Sequence, residues 1–175
     1  IGFKGNASGR GYDNYISFPG WGPDHSDGRA HKAQNLNDVA IPELERLAAG
    51  DKPFFLFMRH MDPHSPYLSP EPFMHMFFQG DAFDPNDKRM QKVYDFKPFG
   101  DYIGSWVPKG LTNPDYVIAQ YDGSVAYMDS CIQAVLEKLA ALGLEEDPIV
   151  VFVSDHGETL YDHDCYFDHH GMYDP

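Results

Sequence analysis

The apolar residues of this 175-residue chain fall into two kinds of pattern. Unbroken runs occur at Phe54-Phe55-Leu56-Phe57-Met58 and Ile149-Val150-Val151-Phe152-Val153, each entered through a proline and left at polar or turn-forming residues. A continuous run bounded this way predicts a strand buried on both faces, as in a parallel sheet. Helical spacing also occurs twice. Leu36, Val39, Ala40, Leu44 and Leu47 predict a helix over about residues 36–49, with Pro42 opening its main part and Gly50 stopping it. Val117, Tyr121, Val125, Met128, Ile132, Val135, Leu136 and Leu139 predict one apolar stripe on a longer helix, over about residues 114–142. Asn113 is its expected N-cap, with Pro114 in the first turn and Gly143 as the stop. Helix followed by strand, twice over, gives an α/β class with a mostly parallel sheet flanked by helices.

The remaining stretches are less regular. Residues 1–27 are rich in Gly, Asn and aromatics and read as ordered loop, with at most a short strand near Tyr15 to Phe18. Between Glu71 and Pro114 the pattern is mixed. A short helix is expected around Phe73, Met76, Phe77 and Phe78, and a turn at Asp84-Pro85-Asn86-Asp87. Residues 88–97 and 99–106 show no clear period. Long irregular insertions between strands often shape substrate pockets, but the Met and aromatic residues here are read first as a local mini-core. His25 and His31 are assigned no role.

Composition is globular, at 42% hydrophobic and 15% aromatic, and the size suits one domain. The formal net charge of −14 argues against nonspecific nucleic-acid or anionic-membrane partners, which need a positive field. It does not exclude an anionic substrate, because a bound cation and clustered histidines reverse the local sign. The two cysteines, Cys131 and Cys165, form no Cys-x-x-Cys pair, and nothing supports a disulfide between them. No apolar stretch is long enough to cross a membrane. The chain starts at Ile1 rather than Met, which reads as a cut piece.

Candidate chemistry sits where the two strand runs end. Ser154-Asp155-His156-Gly157 puts a carboxylate and an imidazole side by side before a glycine that permits a sharp turn. Open α/β sheets place ligands beyond the carboxyl ends of their strands, and such donors suit a divalent cation. The alternative is an ordinary turn, with Asp155 bonded to local amides. The other run leads to Asp62-Pro63-His64-Ser65-Pro66-Tyr67, where flanking prolines hold the imidazole of His64 in one direction. That suits a tetrahedral anion, or else a proline-rich exit loop whose His64 merely caps a carbonyl. After the second run, Glu158, Asp162, His163, Asp164, Asp168, His169 and His170 crowd together. A bound cation or anionic ligand balances such density; a solvated acidic loop is the alternative. Asp122 and Asp129 on the long helix are read as a solvated face or local caps.

These motifs, in this order, resemble the sulfatase branch of the alkaline phosphatase superfamily. The matching pieces are Phe54-Phe55-Leu56-Phe57 leading to Asp62-Pro63-His64-Ser65-Pro66-Tyr67, then Tyr121-Asp122-Gly123-Ser124-Val125-Ala126-Tyr127-Met128-Asp129 on the long helix. Val150-Val151-Phe152-Val153-Ser154-Asp155-His156-Gly157-Glu158 and His169-His170-Gly171-Met172-Tyr173-Asp174 follow. The resemblance implies a large α/β sandwich that hydrolyses a sulfate ester at one divalent cation, usually Ca2+, with Mg2+, Mn2+ and Zn2+ as the other ions. It makes Asp155 and His156 metal ligands and His64 a sulfate contact. It makes His169, four residues before Tyr173, the basic residue that faces the sulfate, with His170 as the neighbouring candidate. Lys is the commoner occupant there, so His169 is a departure. His64, His169 and His170 are thus the implied catalytic side chains, one of them protonating the departing alcohol.

Other family features have no match. The family nucleophile is a formylglycine made within Cys/Ser-x-Pro-Ser-Arg, and the contexts of Cys131, Cys165 and Ser17 do not fit. Neither the paired N-terminal aspartates of the metal site nor a C-terminal subdomain is found. The expectation is that residues 1–175 are an internal part of the catalytic domain, inactive alone, whose partner is the remainder of the sulfatase chain. The resemblance also implies a sulfated small molecule or glycan as substrate, and a periplasmic, secreted or lysosomal setting. Rival readings are a phosphodiesterase or phosphonate monoester hydrolase of the same superfamily, and a noncatalytic glycan-binding domain on this scaffold.

Overall fold

In the computed structural model, which describes residues 10–16, 33–97 and 99–169, the regular structure is helical. Helix α1 spans Ala33–Ala48, α2 Arg89–Asp95, α3 Phe99–Trp106 and α4 Asp115–Ala141, with a 3-10 turn at Phe73–His75. The ends of α4 follow from its sequence. Asn113 Oδ1 accepts the amide of Asp115 at 2.9 Å, as an N-cap should, although the first fully helical residue falls one later than expected. At the other end Gly143 takes φ +73°, its amide donates to Ala140 O, and the Leu144 amide donates to Leu139 O. Those two bonds are a Schellman stop, which needs a residue at ease in the left-handed region.

The buried face of α4 differs from the expected stripe. Val117, Gln120, Gly123, Ser124, Tyr127 and Cys131 are buried, whereas Val125 and Leu136 are 37% and 45% exposed. The reason is close approach. At Gly123 the helix lies against the backbone carbonyl of Phe73, where a Cβ would collide. Gln120 Nε2 donates to Met74 O at 2.5 Å, and Asn37 Nδ2 of α1 donates to Cys131 O at 2.7 Å. Small and polar residues let backbones meet, and the bonds from Gln120 Nε2 and Asn37 Nδ2 offset part of the cost of burying polar atoms there.

Helix α1 begins three residues before the expected start and carries Pro42 inside it rather than at its opening. Its first amide, Ala33 N–H, donates to Asp62 Oδ2 at 2.6 Å, and Gln34 N–H donates to Tyr127 OH at 3.1 Å. A carboxylate at a helix N-terminus satisfies an orphan amide and meets the positive end of the helix dipole. Asp62 therefore ties the loop after residues 54–58 to the start of α1. The segments without a clear period, 88–97 and 99–106, contain α2 and α3. Met90, Val93 and Ile103 are buried there with Leu111 and Val117, so the expected mini-core is present.

The two predicted strands are not formed among the described residues. Phe55 and Phe57 are 74% and 61% exposed, and Ile149 and Val151 are 92% and 74% exposed. A buried strand needs a ladder on each edge and a layer on each face. Among the described residues the recorded β pairing is one antiparallel bridge, Thr159 to Asp168. A parallel sheet, and burial of 54–58 and 149–153 on both faces, are thus expectations that the described residues do not meet.

Candidate metal centre

The bridge between Thr159 and Asp168 closes a loop that returns the chain to the end of 149–153. Thr159 N–H donates to Asp168 O at 2.8 Å and Asp168 N–H donates back to Thr159 O at 3.2 Å. Tyr166 and Phe167 anchor the loop, both buried in the core beside α2 and α3. The anchoring requires left-handed backbone at three non-glycine residues, His163, Asp164 and Phe167, with φ between 54° and 56°. Such strain persists only where surrounding packing fixes it.

The result is that His169 lies on His156. The two imidazoles stack with centroids 4.1 Å apart and planes 28° from parallel. Glu158 completes the group: one ligand atom each from His156, Glu158 and His169 all lie within 4.8 Å of one another. His156 Nδ1 is 2.8 Å from Gly157 O. A carbonyl only accepts, so Nδ1 carries the hydrogen and Nε2 presents a lone pair, the tautomer a metal-ligating His needs. Asp155 Oδ1 is 3.8 Å from that Nε2. Ligands about 2.2 Å from a shared cation and roughly 120° apart are separated by about this much. Nitrogen and carboxylate donors, one imidazole fixed in the right tautomer, fit a divalent cation.

Among the described residues, the segment after 54–58 meets the segment after 149–153 through two links. Arg59 Nη2 is 4.0 Å from Asp155 Oδ2, an exposed pair of small energetic weight. Tyr67 OH donates to Glu158 Oε1 at 2.8 Å, and Tyr67 is only 1% exposed. Burial first, and the Glu158 charge second, push the Tyr67 phenol far above its ordinary range, so it stays a donor. His64, three residues earlier, is exposed, with Nδ1 2.6 Å from Ser65 O. Ser65 Oγ is 3.0 Å from Tyr102 OH of α3, which brings the insertion alongside this loop.

Of the residues expected at the site, Asp155, His156 and His169 come together, and His64 lies on the loop that Tyr67 joins to them. His170, Tyr173, His25 and His31 lie outside the described residues. Sequence reasoning named Glu158 only among the ionisable residues after 149–153, not as a candidate metal donor, and gave Tyr67 no part. The signal for Glu158 was its place two residues after His156. Nothing local points to its pairing with Tyr67.

Comparison with known proteins adds the following. The family model described as Sulfatase matches residues 2–174. The chain is 32% identical over 157 residues to an arylsulfatase of Clostridium perfringens, covering 88% of this chain and 31% of the relative. It is 29% identical over 140 residues to the iduronate 2-sulfatase of Mus musculus, covering 72% of this chain and 25% of the relative. A multifunctional alkaline phosphatase superfamily protein of Trinickia caryophylli is 29% identical over 127 residues, covering 64% of this chain and 25% of the relative. The chain thus spans about a quarter to a third of the length of these curated relatives.

Proposed function

The chain belongs to the sulfatase family, and on that premise we propose that the whole protein hydrolyses sulfate esters at the two converging strand ends. The observation that carries the reading is the convergence of ligand atoms from His156, Glu158 and His169, with Asp155 beside His156 and Tyr67 joining the group to the His64 loop. Asp155 and His156 hold a divalent cation, Ca2+ on the family's pattern. Mg2+, Mn2+ and Zn2+ are the other ions; the imidazole donor suits Zn2+, and the carboxylate suits Ca2+, Mg2+ and Mn2+. When bound, the cation stabilises negative charge on the transferring group. The nucleophile expected of the family is formylglycine, outside these residues.

This chain's own side chains bind and orient. His64 has Nδ1 engaged with Ser65 O, and its Nε2–H as an imidazolium would donate to a sulfate oxygen. His169, or His170, holds a second oxygen, and one of these histidines protonates the departing alkoxide oxygen. The fold is the α/β sandwich of the family, with residues 54–58 and 149–153 as strands of its mostly parallel sheet. The substrate is a sulfated carbohydrate or another organic sulfate ester.

The phosphoester reading shares the superfamily, and the likeness to the Trinickia caryophylli protein keeps it in view. Two relatives named as sulfatases, matched over more of this chain, favour sulfate. Rates of the full-length protein on an aryl sulfate and on the matching phosphate monoester, diester and phosphonate separate the readings. The sulfate ester is expected to be fastest. A faster phosphodiester or phosphonate would replace this reading, and carbohydrate binding without any turnover would support a binding domain.

A further inference from the structure

Tyr67 stands between the hydrophobic core and the candidate metal centre. Its ring is held edge-on by Trp106 of α3 and Tyr121 of α4, each with a centroid distance of 5.4 Å. Its hydroxyl is the polar end of an otherwise apolar plug, and it donates to Glu158 Oε1 at 2.8 Å. Glu158 is itself half-buried, so a carboxylate left there without this bond would forfeit a charge-assisted hydrogen bond.

The two strand ends have no recorded ladder between them among the described residues, so side chains set their spacing. Of the two links, Arg59 to Asp155 is long and exposed, whereas Tyr67 to Glu158 is short and shielded. Shielding from water makes the second the stronger constraint. Glu158 faces His156 and His169, so whatever fixes its carboxylate fixes a charge beside the His156 ligand nitrogen.

We propose that Tyr67 is a positioning residue for the cation, acting through Glu158: its buried hydroxyl aims the carboxylate at the cation that His156 holds. The proposal rests on the metal reading of that site given above. Partners that orient metal donors typically contribute 10- to 100-fold to metal affinity when removed.

The test titrates the full-length protein, wild type and variants, with Ca2+, Mn2+ and Zn2+ by calorimetry, alongside thermal unfolding without metal. Tyr67→Phe removes one oxygen and keeps the ring packing. It is expected to weaken the tightest-bound of the three cations by about 10- to 100-fold. In a Glu158→Gln background the same Tyr67→Phe change is expected to have little further effect, because the two residues act as one unit. Unchanged affinity in Tyr67→Phe, or full additivity of the two changes, overturns the proposal. Should Tyr67→Phe fail to fold, Glu158→Asp keeps the charge and withdraws it from Tyr67. It is then expected to show the same weakening, and unchanged affinity overturns the proposal. Wild type that binds none of the three cations overturns the metal reading itself. Failure of that reading shows in the wild type, failure of this one only in the variants.

Discussion

His60 is a side chain poorly matched to its surroundings. Its Nδ1 is buried with no hydrogen-bond partner, and burial holds its pKa below the ordinary value. In the folded chain it is therefore neutral where an unfolded chain would already bind a proton. The sign follows from linkage: as pH falls below about 6.5, the unfolded state takes up the proton first. Stability drops from there until the pH passes the lowered folded pKa. His60→Leu removes the proton uptake, so thermal melts should show a smaller fall in Tm between about pH 7.5 and pH 5.5 than wild type shows. An identical fall in both proteins would mean that His60 is not held neutral. Residue chemistry of this kind was only partly legible in the sequence. Asp155 and His156 announce themselves by adjacency after an apolar run. The pairing of Tyr67 with Glu158, 91 residues apart, leaves no local trace.

At the scale of elements, length decides what periodicity reveals. Helix α4, with 27 residues, repeats its pattern often enough to be read, and its Asn113 and Gly143 ends are chemically marked. Helices α2 and α3, with seven and eight residues, complete too few turns to show a period, and packing against each other and the core sustains them. The start of α1 was misplaced because its capping carboxylate, Asp62, comes from 29 residues downstream. The buried face of α4 was misread because hydrophobicity was taken to mark contact, whereas Gly123 meets the Phe73 carbonyl directly. This yields a check. Gly123→Ala gains about 1 kcal/mol of helix propensity but overpacks the junction, at about 1–3 kcal/mol. Chemical denaturation should show a net loss of up to about 2 kcal/mol. A stabilised Gly123→Ala protein would place the 3-10 turn farther from α4 than described.

Among the described residues the two apolar runs stand exposed, with Phe152 at 70% and Val153 at 74%. Exposed apolar patches of this kind mark surfaces that are covered by other structure. If residues 149–153 form a covered strand of the family's sheet, Val151→Asp should lower the Tm of the full-length protein by several degrees, at about 2 kcal/mol or more. An unchanged Tm would leave that run in solvent and remove the sheet from the account. The sequence carried α1, α4 and the order of the motifs, while what covers the two apolar runs and the convergence of the two loops are long-range matters. The most direct test of the central claim is the bound-metal content and aryl sulfate turnover of the full-length protein, wild type against His156→Ala. The account predicts about one divalent cation per wild-type chain, with both cation and turnover lost in the variant. Turnover that survives His156→Ala with its metal content intact would contradict it.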